Sequence, residues 1–240
     1  MSVAENIARV RAGLPAGVEL VAVSKTHPAE RVMEAYEAGQ RVFGENRPQE
    51  MAAKRALLPA DVRWHMIGHL QTNKVRLVAP FVEMIHSVDS ARLAAEISRR
   101  AVEAGRTIDA LLEIHIAREQ GKHGWEWSEL VAWLETDEWR RLPGLRLRGV
   151  MGVATFTDDV AVVSAEFCRL AAMHRELGER FFGGGVETDG DSETTTAPAA
   201  FDTLSMGMSD DYPLAVTAGS TMVRVGSTIF GRRDYAAKQG

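Results

Sequence analysis

The feature that most restricts this chain is an alternation of β-rich and helix-patterned segments, repeated about eight times along its length. VELVAVSK (18–25) is β-rich and ends in a polar pair; 28–39 is helix-patterned, with Pro28 near its start and Gly39 at its end. RVFGEN (41–46) precedes a helix expected from Pro48 to Leu57, and VRWHMIG (62–68) precedes TNKVRLVA. MIHSVD (84–89) leads into a helix with Asp89 or Ser90 as its N-cap and Gly105 at its C-terminal end. TIDALLEIHIA (107–117), LRLRGVMGVAT (145–155), LSMGM (204–208) and MVRVGS (222–227) read as further strands. Helices are expected at 128–139 with Ser128 as cap, at 158–180 and at 212–218, and a short one at 3–13 precedes the first strand. Strict βα alternation implies a parallel sheet. About eight units in 240 residues favour a closed (β/α)8 barrel over an open doubly wound sheet, so 1–240 is expected to form one barrel domain.

Composition excludes several function classes. With 45% hydrophobic and 25% charged residues the chain is neither disordered nor fibrous. A formal charge of −5, a pI near 5.8 and no Lys/Arg block argue against nucleic acid as a partner. The single cysteine, Cys168, cannot form an internal disulfide or a two-thiolate zinc site, and its apolar helical surroundings read as core. Glu5, Arg9 and Arg11 interrupt the start where a signal peptide needs an apolar run. No stretch of about 18 apolar residues offers a membrane span, and a cytoplasmic location is expected. GGGVETDGDSETTTAPAA (183–200) has almost no apolar anchors and is expected to be an exposed, mobile loop; no strand precedes its glycines, so they are not a dinucleotide fingerprint.

In a barrel of this kind the chemistry sits at the C-terminal ends of the strands. Strand one ends in Ser24-Lys25 and strand two in Glu45-Asn46. A lysine closing an apolar barrel strand is uncommon, because burying an unpaired ammonium is costly. Desolvation would make it a nucleophilic amine suited to Schiff-base chemistry; a lysine paired with a carboxylate at the rim fits the spacing equally well. Strand eight adds Arg224 and then Gly226, Ser227 and Thr228. Small residues and hydroxyls at that turn suit a phosphate, which this fold recurrently binds after strands seven and eight. Lysine and phosphate turn together suggest a phosphorylated aldehyde, of which pyridoxal 5′-phosphate is the common cofactor. His65 and His69 could bring two imidazoles together, but no carboxylate or thiol completes a metal site, so no metal is expected. Asp210 and Asp211 read as caps for the next helix, Glu113 could point into the barrel, and the tryptophans read as packing.

The runs VAVSKTHP (21–28), FGENRPQE (43–50), WHMIGHLQTNK (64–74), IHSVDS (85–90), LSMGMSDDYPLAV (204–216) and GSTMVRVGSTIFGRRDY (219–235) resemble the YggS/PROSC family of pyridoxal phosphate homeostasis proteins. That family is related to the barrel domain of alanine racemase. The resemblance implies one (β/α)8 barrel with one cofactor per chain, which is held and supplied, with apo pyridoxal-phosphate enzymes as acceptors, rather than used in turnover. It implies that Lys25 forms the Schiff base and that Arg224 faces the pyridine nitrogen. Gly226, Ser227 and Ser205 would bind the phosphate with Thr228 beside them, and Asn46 would neighbour the ring. Where the family often has Val-Asn-Ile on strand five, this chain has Ile114-His115-Ile116 followed by REQGKHG.

The alternative is an amino-acid racemase. An arginine at the ring nitrogen disfavours its protonation, which argues against transamination and decarboxylation. Racemisation tolerates that ring but needs a base on each face of the substrate carbon. In alanine racemases the second base is a tyrosine from a separate domain that forms the dimer; no counterpart is expected here, which favours a monomer. Of Tyr36, Tyr212 and Tyr235, only Tyr212 falls in an active-face loop. A cofactor-free Schiff-base aldolase would also use Lys25 but would be colourless.

Overall fold

The computed structural model describes residues 1–119, 123–183 and 200–231. Most of the 183–200 loop, and Tyr235, lie outside them. Eight parallel strands close into a barrel in sequence order: β1 (Glu19–Val23), β2 (Val42–Glu45), β3 (Arg63–Met66), β4 (Met84–Val88), β5 (Ile108–Glu113), β6 (Leu145–Met151), β7 (Thr203–Ser205) and β8 (Met222–Val225). Closure is made by β1 and β8, with Ala22 opposite Val225. The expected barrel is therefore the observed one.

Side-chain parity explains the two apolar layers. Successive residues of a strand face opposite sides. Val21, Val42, Met84, Leu111, Met151 and Met222 meet inside the barrel. Their neighbours Phe43, Trp64, Ile85, Leu112, Val150 and Val223 pack outward under the helices. Each such fully buried side chain contributes about 1.5–3 kcal/mol. Gly149 on β6, at φ +154°, allows β6 to lie against β7: a Cβ there would sit 1.7 Å from the carbonyl oxygen of Thr203.

The outer layer comprises α1 (Val3–Ala12), α2 (Ala29–Glu37), α3 (Pro48–Arg55), α4 (Ala91–Glu103), α5 (Trp127–Glu135), α6 (Val160–Leu177), α7 (Tyr212–Thr217) and α8 (Ser227–Phe230). A 3₁₀ segment, Thr72–Leu77, takes the place of a helix between β3 and β4. Ser90 caps α4 by accepting from the Leu93 amide.

Several local expectations are corrected. Strand seven stops at Ser205, because Gly207 adopts φ +92° and bends the chain away. α5 starts at Trp127, so Ser128 lies inside it and does not cap it. Asp211 holds the N-cap position of α7, but its carboxylate accepts from the Met208 amide instead of from the helix. Cys168 is exposed, because the buried stripe of α6 runs through Val163, Phe167 and Leu170 and leaves it one position off that face.

Candidate cofactor site

The lumen becomes polar toward the C-terminal ends of the strands. Parity puts Arg224 with Met222 in the lumen-facing set, and Lys25, Asn46 and Gly226 follow the ends of β1, β2 and β8 by one or two residues at the same end of the barrel. Lys25 and Asn46 are half-buried in the turns after β1 and β2. Arg224 is 4% exposed, deep beneath them.

Arg224 is held by partners from β7 and from the end of β6. Its Nη1 donates to Ser205 Oγ at 2.6 Å and its Nη2 to the Gly152 carbonyl at 3.0 Å. Beyond Ser205 the hydrogen-bonded chain continues through His86 Nδ1 at 3.1 Å, and from His86 Nε2 to His65 Nδ1 at 3.0 Å. Burial lowers His65 to about 3 and His86 well below the usual imidazole range, so both rings are neutral. A neutral imidazole has one donor and one acceptor nitrogen, so the chain has a single sense along its length. It ends at His65 Nε2, which is buried and has no hydrogen-bond partner among the described residues. Burial also lowers Arg224 to about 10, opposed by Glu113 and Asp211. The guanidinium stays cationic at neutral pH. It supplies fixed N–H donors in a low-dielectric lumen, where such donors are strongest.

A second buried group holds the lysine turn. Lys54 on α3 donates to the Ser24 carbonyl at 2.8 Å, to Glu45 Oε1 at 2.6 Å and to Glu50 Oε1 at 2.8 Å. Ser24 Oγ donates to the same Glu45 oxygen at 2.7 Å. Glu50 Oε1 also accepts the Thr26 amide at 2.6 Å. The peptide links on both sides of Lys25 are thus tied to one ion-pair cluster, and Thr26 is held at the uncommon φ of +69°. Desolvation raises the Glu45 carboxyl, with Lys54 pulling it back.

The turn after β8 is tight against β1. A Cβ on Gly226 would meet the Val23 carbonyl oxygen at 3.1 Å and Val23 Cβ at 3.2 Å. The Gly226 amide donates to Ser209 Oγ. Ser227 and Thr228 open α8, where first-turn amides have no intrahelical acceptor and favour an anion. Glu113 continues the lumen parity of Leu111; its Oε2 is buried without a hydrogen-bond partner among the described residues, and desolvation with the Asp89 charge raises the carboxyl to about 7.

The sequence-derived residues Lys25, Asn46, Ser205, Arg224, Gly226, Ser227 and Thr228 therefore gather at one end of the barrel, with Ser205 lying deeper than the turn. His65 and His69 do not meet: His65 pairs with His86 in the lumen, and His69 with Asp89 at the rim. His86, Glu45, Glu50 and Lys54 were not singled out as site residues. The i,i+4 spacing of Glu50 and Lys54 was the available signal for the cluster.

Comparison with known proteins agrees with the barrel fold. Residues 1–183 match the family described as alanine racemase, N-terminal domain. A pyridoxal phosphate homeostasis protein of Pseudomonas aeruginosa is 37% identical over 247 residues, covering 98% of each chain. The Escherichia coli K12 protein of that name is 37% identical over 254 residues, covering 98% of this chain and 99% of its own. This chain belongs to the pyridoxal phosphate homeostasis protein family. Among solved structures, PipY of Synechococcus elongatus with pyridoxal phosphate bound superposes with a TM-score of 0.82 at 39% identity, covering 96% of this chain and all of PipY. Alanine racemase of Streptomyces lavendulae, at 20% identity and a TM-score of 0.69 over 57% of its length, shares the fold. No helix among the described residues is long and apolar enough to cross a membrane.

Proposed function

We propose that the chain, as one barrel domain over 1–240, binds pyridoxal 5′-phosphate covalently through Lys25 and holds and releases it in cofactor homeostasis without efficient turnover. The observation carrying this reading is that Lys25, in the turn after β1, stands at the same end of the barrel as the Gly226 turn and the buried Arg224, which is held by Ser205 and Gly152. The residues fit the cofactor. When bound, its aldehyde would condense with the Lys25 amine as a Schiff base and give a visible chromophore. Arg224 would present N–H donors to the ring nitrogen and keep it unprotonated. Ser227 and Thr228 would donate to the phosphate from the start of α8, and the missing Cβ of Gly226 lets that turn lie close against Val23. Ser205 acts from below by orienting Arg224, and Asn46 flanks the ring.

The names of the relatives and the cofactor-bound PipY support this reading. We further propose that the protein acts as a cytoplasmic monomer with apo pyridoxal-phosphate enzymes as acceptors. The deciding experiment is an absorption spectrum of the purified protein before and after borohydride, followed by peptide mass spectrometry. A visible band that borohydride bleaches, with the reduced adduct on Lys25, is expected. An adduct on Lys54 or Lys74 would overturn the assignment.

A further inference from the structure

A second cluster of potential ligands lies at the rim, outside the lysine and arginine site. His69 follows β3, Asp89 follows β4, and His123 lies between β5 and α5. One ring nitrogen from each histidine and one Asp89 oxygen all lie within 4.8 Å of one another. His69 Nδ1 is 3.0 Å from Asp89 Oδ2, and the rings of His69 and His123 stack at 3.8 Å and 10°.

We propose that His69, Asp89 and His123 form a binding site for one divalent transition-metal ion of the zinc, cobalt or nickel class. Two imidazole nitrogens and a carboxylate suit such ions, whereas magnesium and calcium prefer oxygen throughout. With bonds of about 2.0–2.1 Å, the donor atoms of a tetrahedral site stand about 3.3 Å apart. The contact between His69 and Asp89 already has nearly that span. The stack must open, because an imidazole lone pair lies in its own ring plane and the two planes are almost parallel. His123 is exposed and can turn about its Cβ–Cγ bond without disturbing the core. Three protein ligands leave a fourth position for water or an anion.

The test is calorimetric titration of the tag-free full chain with zinc chloride, paired with the visible spectrum of the cobalt(II) form. One equivalent should bind, and His123→Ala and Asp89→Asn should each weaken binding by at least about tenfold. His115→Ala, next to the neighbouring pair of His115 and Glu126, should leave binding unchanged. Absence of stoichiometric uptake would overturn the proposal. So would uptake that survives His123→Ala, or uptake lost on changing His115 alone. Because His123 is exposed and outside the core, its replacement tests the site without testing the fold.

Discussion

The Lys54 ammonium lies 2.8 Å from the carbonyl oxygen of Ser24, the residue immediately before Lys25. The same ammonium meets Glu45, whose carboxylate is fully buried. Removing one member of a buried pair leaves an uncompensated charge and costs about 3–5 kcal/mol. Lys54→Met should therefore lower stability in urea unfolding by about that amount. Adding Glu45→Gln to it should recover part of the loss, since a neutral amide costs less to bury. If the double variant were no more stable than the single one, the charge of Glu45 would not be the source of the cost.

Glu113 should govern part of the pH dependence of stability. Desolvation first, then the Asp89 charge, raises its carboxyl to about 7, while Arg224 and His115 oppose the rise. A carboxyl raised on folding binds its proton more tightly in the folded state. Its contribution is fully present below the ordinary carboxylate range and is lost as pH rises through about 7. The effect is at most about 3 kcal/mol. His65 and His86, lowered by burial, act oppositely: their contribution is present above the ordinary imidazole range and lost as pH falls. Glu113→Gln should flatten the decline between about pH 5 and 8 while leaving the histidine limb in place. Matching unfolding curves taken across that range for the variant and the wild type would refute the assignment.

Gly226 and Gly105 separate crowding at the site from backbone strain elsewhere. A Cβ at Gly226 meets Val23 at 3.1–3.2 Å, whereas Gly105, at φ +65° after α4, has open space around it. Alanine at Gly105 should cost stability alone, by roughly 1 kcal/mol. Valine at Gly226 should weaken retention of pyridoxal phosphate in equilibrium dialysis by at least about tenfold, the equivalent of 1.4 kcal/mol. Equal retention by the two variants would remove the turn from the phosphate site.

The barrel was legible because its signal is local: parity within a strand, apolar spacing within a helix, and glycine or serine at their ends. The lysine and the Arg224 turn were legible because each lies at a strand end. What joins them was not. Ser205 and His86 meet across 119 positions of sequence. Asp89 reaches His69 only because β3 and β4 pair, which is why a carboxylate seemed to be missing. Cys168 misled because an apolar neighbourhood in sequence does not tell which side of α6 a residue occupies, and a step of one residue turns it by about 100°.

The final expectation concerns catalysis. Racemisation needs proton transfer on both faces of the substrate carbon, and each positioned acid or base is typically worth ~10²–10⁴-fold. Lys25 could serve one face. Among the described residues, the Tyr36 hydroxyl donates to Asp61 at 2.7 Å. Tyr212, expected in an active-face loop, is the first residue of α7 and packs against the main core. Its hydroxyl lies 3.9 Å from where a Cβ on Gly13 would stand, at the far end of α1 from the capped Ser2. Neither tyrosine is directed at the lysine turn. Chiral chromatography with L-alanine or L-serine should therefore show no appreciable D-isomer from cofactor-loaded protein. Lys25→Ala should lose the borohydride-trapped adduct yet keep the far-UV spectrum of the folded barrel, because a half-buried rim residue carries little of the core. Tyr212→Phe should change neither result. Rapid interconversion that required Lys25 would make the protein an enzyme, and loss of that activity in Tyr212→Phe would show that the Tyr212 side chain leaves Gly13 to act as the second base.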